Sequence, residues 1–180
     1  RNIIIATGGT GGHILPAYNL AKHLKNGNTS VKLISDNRGL KYLGRNHYFD
    51  VIIINSSPIL RNGLIKSAKS ILKIIFSTLR SLLVLYKNRP DLVFGMGGYS
   101  SFPVCIAAKI LKIPFIIYEN NLHLGKANKY LVPFANKVFV SFDELTGFNK
   151  KYRYKVSKIG NIISKEFFSN KINNNYNKNN

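Results

Sequence analysis

The chain is expected to be an α/β domain: a Rossmann-like parallel sheet with helices on both faces. Three observations predict it. Short, nearly continuous apolar runs recur, helical patterns lie between most of them, and glycine-rich turns follow the first and fourth runs. Strands buried on both faces read as unbroken β-branched runs rather than as alternating ones.

The elements follow in order. NIIIA at residues 2–6 is a short apolar strand, stopped at once by TGGTGGH at 7–13. Over 14–25 apolar residues recur at helical spacing, with Ile14, Leu15, Ala17, Leu20, Ala21 and Leu24 on one side and Gly27 as the expected C-cap. Further strands are predicted at 31–35, 50–54, 91–95, 113–118 and 137–140, and further helices at 64–87, 102–111 and 126–134. The asparagine-rich stretch at 170–180 reads as low complexity, so the expected division is a folded domain at 1–165 and a disordered tail at 166–180. A start at Arg1 rather than Met predicts a short preceding piece.

Composition narrows the function. The 180 residues carry 27 basic and 7 acidic side chains, a formal charge of +20, yet 45% are hydrophobic and 12% aromatic. This charge calls for an anionic partner: nucleic acid, acidic lipid headgroups or a phosphorylated substrate. Among the carboxylates only Asp143 and Glu144 are neighbours, which disfavours a multi-carboxylate metal site or a glycosidase pair. A single cysteine, Cys105, leaves no intrachain disulfide and points to a reducing compartment. No apolar run reaches the roughly 18 residues of a membrane span.

In a doubly wound sheet ligands bind beyond the carboxyl ends of the strands, which singles out loops 7–13, 95–101 and 119–125. Glycines let backbone amides approach a ligand while the next helix adds its positive end, a combination suited to phosphate; tight turns also use glycine for steric reasons alone. The first loop lacks the Lys-Ser/Thr of a P-loop and misses the dinucleotide spacing at Ile14. His13, at the loop-to-helix junction, is either a general base or a helix-start residue that only hydrogen-bonds the loop. Glu119 closes the fifth strand and is read as the lone carboxylate near these loops, with capping and lysine pairing as its structural alternative. His23 and His47 read as surface residues, and His123 stands in a cleft loop without further support.

At about 100° per residue, Lys66, Lys69, Lys73, Arg80 and Lys87 of the 64–87 helix fall within roughly 60° of one another. Ser70, Ser77 and Ser81 border them, and the opposite side carries more apolar residues than one sheet-facing stripe uses, Phe76 and Leu79 among them. The helix is either a core helix with a solvated basic face or an interfacial helix on an anionic membrane. A nucleic-acid groove is disfavoured because aromatics do not interleave with the basic stripe.

Three stretches, ATGGTGGHILPAYNLAKHL at 6–24, PDLVFGMGGYSSFPVCIAAKILKIP at 90–114 and YENNLHLGKANKYL at 118–131, resemble the N-terminal half of the MurG family over about residues 2–160. That family transfers N-acetylglucosamine from UDP-N-acetylglucosamine to a lipid-linked muramyl-pentapeptide diphosphate in peptidoglycan synthesis. The resemblance implies the N-terminal half of a GT-B glycosyltransferase with no metal and no cofactor beyond the donor substrate, peripheral on the cytoplasmic face of the bacterial inner membrane. By position, Thr10, Gly11, Gly12 and Asn121 match donor or diphosphate contacts, His13 the general base, and Glu119 a cleft carboxylate tied to activity. Gly97, Gly98 and Tyr99 match the loop thought to hold the acceptor diphosphate. Lys66, Lys69, Lys73, Phe76, Leu79 and Arg80 would meet the membrane.

The sequence departs from the family pattern at Ile162 and Ser164, where proline and arginine are usual, at Tyr118 for histidine, and at Asn120 for glutamine. The domain that binds UDP-sugar in the family has no counterpart in these residues. The partners implied are therefore the lipid-linked acceptor, an anionic membrane surface, and a donor-binding domain or subunit, with no nucleic acid. The alternative is a non-catalytic subunit that anchors to the membrane, binds acceptor and recruits a separate donor-binding chain.

Overall fold

The computed structural model describes residues 1–25, 28–43, 48–58 and 64–163, with side chains of the long helix described from Ser67 onward. Among the described residues, seven parallel strands form one sheet: β1 (Asn2–Ala6), β2 (Ser30–Ser35), β3 (Val51–Ile53), β4 (Leu92–Gly95), β5 (Phe115–Glu119), β6 (Lys137–Val140) and β7 (Val156–Lys158). Their spatial order is β3-β2-β1-β4-β5-β6-β7. The order reverses between β1 and β4, so the chain leaves these two neighbours toward opposite sides and opens a crevice above their carboxyl ends. The strands are connected through α1 (Gly11–Lys25), α2 (Asn37–Leu40), α3 (Leu64–Asn88), α4 (Ser101–Ile110) and α5 (Lys126–Leu131). The expected fold class holds. The α2 turn, β7 and the 3-10 helix before it, Lys150–Lys155, were not foreseen. Gly27, His47, Ser164 and the expected tail at 166–180 lie outside the described residues.

Alternation along each strand divides the core between the two faces of the sheet. Ile3 and Ile5 join Leu33, Phe94, Ala17 and Ala21 under α1. Ile4 and Ala6 point the other way, into the cluster with Val93, Ile117, Val104 and Leu85 beneath α3 and α4. Each fully buried aliphatic side chain contributes about 1.5–3 kcal/mol, which holds the strand ends in fixed relation to one another. Leu15, expected among the inward residues of α1, is exposed.

The α3 helix reverses one expectation. Its sheet-facing side is the serine stripe, with Ser70, Ser77 and Ser81 buried beside Leu85. Burial is tolerated because the hydroxyls find carbonyl partners: Ser77 Oγ shares its hydrogen between Lys73 one turn back and Asn55 outside the helix, and Ser81 Oγ donates to Ser77. The large apolar residues face outward, with Phe76 70% and Leu83 72% exposed and Leu72, Ile75, Leu79 and Tyr86 open around them. Lys69, Lys73 and Arg80 are exposed along one flank of that apolar face. The side chain of Lys66 lies outside the described residues. Among the described residues no helix is long and apolar enough to cross a membrane.

Candidate functional site

The crevice between β1 and β4 holds a cleft of about 410 Å3. Its floor is made by two glycine loops that interlock. Gly98 has φ of +79° and its backbone lies against the Gly8 carbonyl, so a Cβ at Gly98 would collide with that oxygen. Gly97, with φ of +85°, lies under the His13 ring, where an added Cβ would come within 2.7 Å of Nδ1. Both positions therefore require glycine for conformation and for clearance.

His13 enters the cleft from the first turn of α1. Burial holds its imidazole below the ordinary value of 6.5, against the opposing pulls of the Glu119 charge and of a hydrogen bond to the Met96 backbone. A neutral imidazole that donates one N–H to a carbonyl leaves its other nitrogen as an acceptor. Burial thus favours the neutral imidazole at His13, the form that can accept a proton.

Glu119 is 1% exposed at the end of β5. Its Oε1 accepts from the Asn121 backbone N–H at 3.1 Å and from Asn121 Nδ2 at 2.7 Å. Its Oε2 accepts from the Gly125 N–H at 2.8 Å and from Asn128 Nδ2 at 3.0 Å. Four donors occupy its lone pairs, and no lysine pairs with it among the described residues. It organises the 119–125 loop and sets a negative charge near His13, which favours the imidazolium that a proton-accepting histidine becomes.

Glu119 is not the lone carboxylate at these loops. Asp36, buried at the end of β2, accepts from the Gly9 N–H at 2.9 Å and the Gly39 N–H at 2.8 Å, capping α2. Its Oδ2 also receives Arg38 Nε at 3.2 Å and Nη2 at 2.8 Å. Burial works to raise the Asp36 carboxyl, and the two amides with the guanidinium outweigh it, so the group sits below its ordinary value. Arg38 reaches the cleft, as does Lys126 from the start of α5. Sequence reading passed over both cations. The D-x-R spacing of Asp36 and Arg38 at a strand-to-helix turn was the signal that could have marked the first.

Of the expected site residues, Thr10, His13, Gly97, Gly98, Tyr99, Glu119 and Asn121 line the cleft together. Gly11 instead meets the Tyr42 ring, and Gly12 lies just outside the lining, its carbonyl accepting Asn120 Nδ2 at 2.7 Å. That carbonyl is available because Pro16, four residues on, has no N–H to give it. The Tyr118 hydroxyl pairs with Ser141 Oγ at 2.7 Å and donates to the Gly160 carbonyl at 3.1 Å, so this departure from the family pattern secures the chain beyond β7. His123 bonds Thr146 Oγ1 outside the cleft, and His23 is exposed. Among the described residues no cluster of three His, Cys, Asp or Glu side chains could hold a metal ion.

Residues 3–140 match the model of the glycosyltransferase family 28 N-terminal domain. The chain belongs to this family. Curated relatives agree with the glycosyltransferase family 28 assignment: the UDP-N-acetylglucosamine--N-acetylmuramyl-(pentapeptide) pyrophosphoryl-undecaprenol N-acetylglucosamine transferase of Pelagibacter ubique is 36% identical over 94% of this chain and 47% of its own length. The protein of the same name from Francisella tularensis is 37% identical over 92% of the chain and 46% of its own length. The chain thus spans about half the length of the curated relatives it matches. Among solved structures, Acinetobacter baumannii MurG superposes with a TM-score of 0.73 at 23% identity, covering 92% of this chain and 47% of that one. A UDP-GlcNAc 2-epimerase from Methanocaldococcus jannaschii gives 0.63 at 18% identity, over 89% and 47%. Both likenesses establish the shared fold of this family 28 domain, the N-terminal Rossmann-like half of a GT-B protein.

Proposed function

We propose that these residues form the acceptor-binding, membrane-facing half of an inverting N-acetylglucosamine transferase, with the lipid-linked muramyl-pentapeptide diphosphate as acceptor and UDP-N-acetylglucosamine as donor. The observation that carries the reading is the His13 ring seated against Gly97 at two interlocked glycine loops, with burial favouring its neutral form. His13 takes the proton of the muramyl C4 hydroxyl, that oxygen bonds to C1 of N-acetylglucosamine, and the bond from C1 to the UDP phosphate oxygen breaks. Glu119 stabilises the imidazolium, and the cleft supplies positioning and charge stabilisation, the main sources of rate in such displacements. The first-turn N–H groups at Gly11 and Gly12, which precede any intrahelical acceptor, add the positive end of α1. No step calls for a metal. The donor-binding surface belongs to a further domain or subunit.

The outward face of α3 is proposed to rest on an anionic membrane, with Phe76 and Leu79 in the interface and Lys69, Lys73 and Arg80 at headgroup level, each cation contributing about 1 kcal/mol. The cytoplasmic side is part of this proposal, since the UDP-sugar donor is found there.

Two measurements test the reading. The chain should sediment with anionic vesicles more strongly when they carry the lipid-linked acceptor, and duplex DNA should not displace it; equal binding with and without acceptor overturns the acceptor assignment. Joined to the C-terminal domain of the Francisella relative, the chain should transfer N-acetylglucosamine, and His13→Ala should lower kcat by a factor of about 100 or more. Undiminished turnover in that variant removes His13 from the chemistry.

A further inference from the structure

We infer that Arg38 is a diphosphate-binding residue of the cleft, its guanidinium fork presented by Asp36 to the phosphates of the acceptor lipid. The inference rests on the diphosphate reading of the glycine loops and changes what holds the anion there.

A cradle of backbone amides alone is incomplete in this chain. The Gly9 N–H, which the glycine-rich turn would offer to an anion, is already bonded to Asp36 Oδ1 at 2.9 Å. The same carboxylate that removes this donor supplies another. Its Oδ2 binds Arg38 through Nε and Nη2, and the side chain of Arg38, 56% exposed, continues into the cleft. The guanidinium Nη2 lies 3.7 Å from where a Cβ of Gly9 would stand, directly over the glycine turn. Its Cζ is 5.9 Å from the centre of the Tyr99 ring, which belongs to the second glycine loop. Arg38 therefore bridges the two loops that meet beneath it.

Of the five N–H donors of a guanidinium, Asp36 occupies two and leaves three. Asp36 is itself buried and satisfied by the Gly9 and Gly39 amides, so it holds the fork in place while presenting no free lone pair to repel a phosphate. A planar fork fixed in this way matches phosphate oxygens in pairs and loses little freedom on binding. Lys126, the cleft's other cation, has no carboxylate partner among the described residues to fix it and offers only a point charge.

Titration of this chain with inorganic pyrophosphate, followed by calorimetry, tests the inference. Arg38→Ala should weaken binding by about tenfold or more, since a charge-assisted bond is lost. Arg38→Lys, which keeps the charge without the fork and guards against a folding defect in the alanine variant, should lose part of the affinity. Lys137→Ala, which removes a cation at the far end of the sheet, should bind as the parent does. Geranyl diphosphate should show the same dependence on Arg38, and UDP should not. Wild-type affinity in both Arg38 variants, or dependence on Arg38 for UDP but not for geranyl diphosphate, overturns the assignment while leaving the cleft reading intact. Failure of the parent chain to bind any diphosphate overturns both.

Discussion

In the cleft all charge but that of Lys126 is tethered: Glu119 takes four N–H donors, and Asp36 takes two amides and the Arg38 fork. Along the outer face of α3 it is free, for Lys69, Lys73 and Arg80 are exposed and no carboxylate among the described residues pairs with them. The two regions also treat apolar surface in opposite ways. The cleft rests on the buried strands of the sheet, whereas α3 turns Phe76 and Leu83 to solvent and buries serines. The carboxylates that fix the cleft are satisfied by the fold itself, whereas the α3 face leaves its cations and large apolar side chains open, as the proposed membrane contact requires.

If this contrast is right, the largest effect on folding comes from the cleft. Gly98→Ala places a Cβ against the Gly8 carbonyl in a backbone conformation that alanine resists. A loss of about 2–4 kcal/mol is expected, read as a lower midpoint in urea. An unchanged midpoint would show that the two loops are not rigidly interlocked.

Substitution on α3 should do the reverse. Phe76→Asp with Leu83→Asp is expected to alter folding stability by about 0.5 kcal/mol or less per site, because neither side chain is buried in the fold. The pair should lower affinity for anionic vesicles by about a hundredfold, as two apolar anchors are lost. Vesicle binding that survives would return α3 to the status of an ordinary surface helix.

How much of this was readable in the sequence follows from the same contrast. Strands of the NIIIA kind and the glycine loops are encoded by local pattern, so the sheet and the strand-end loops were legible, together with His13 and Glu119. Arg38 and Asp36 were not: the local D-x-R spacing signals only a paired arginine, and its place over the Gly9 turn arises when β2 is laid beside β1, a long-range register that no window of sequence displays. The serine stripe was misread for a different reason. A hydroxyl that bonds its own helix carbonyl, as Ser81 does with Ser77, behaves as a small buried residue, while composition marks it as polar. Tyr118 and Asn120 looked like departures from a pattern, and each makes a specific bond across the fold.

A pH series sharpens the account of the cleft. The folded chain holds His13 below its ordinary 6.5, so the unfolded chain takes up the proton more readily. Stability should therefore fall as pH drops below 6.5 and level off once the folded imidazole is protonated as well. His13→Gln should flatten that slope in urea midpoints measured across pH. A variant with the parent's slope would mean that the histidine is not held neutral.

The smallest effect concerns how the third loop is tied to the first. Pro16 lacks the N–H that would close a helical bond on the Gly12 carbonyl, and Asn120 Nδ2 takes that oxygen instead. Asn120→Ala removes this exposed hydrogen bond, worth about 0.5–1 kcal/mol, together with the longer one its Oδ1 accepts from Asn121 Nδ2 at 3.3 Å. Pro16→Ala restores a helical donor that competes with Asn120 for the same acceptor. The two substitutions therefore act on one bond, and the loss from Asn120→Ala should be smaller when alanine already occupies position 16. A double-mutant cycle in urea reads this directly: strict additivity would mean that the proline serves the helix start alone, and a coupling would show that it holds a carbonyl open for the loop that carries Glu119.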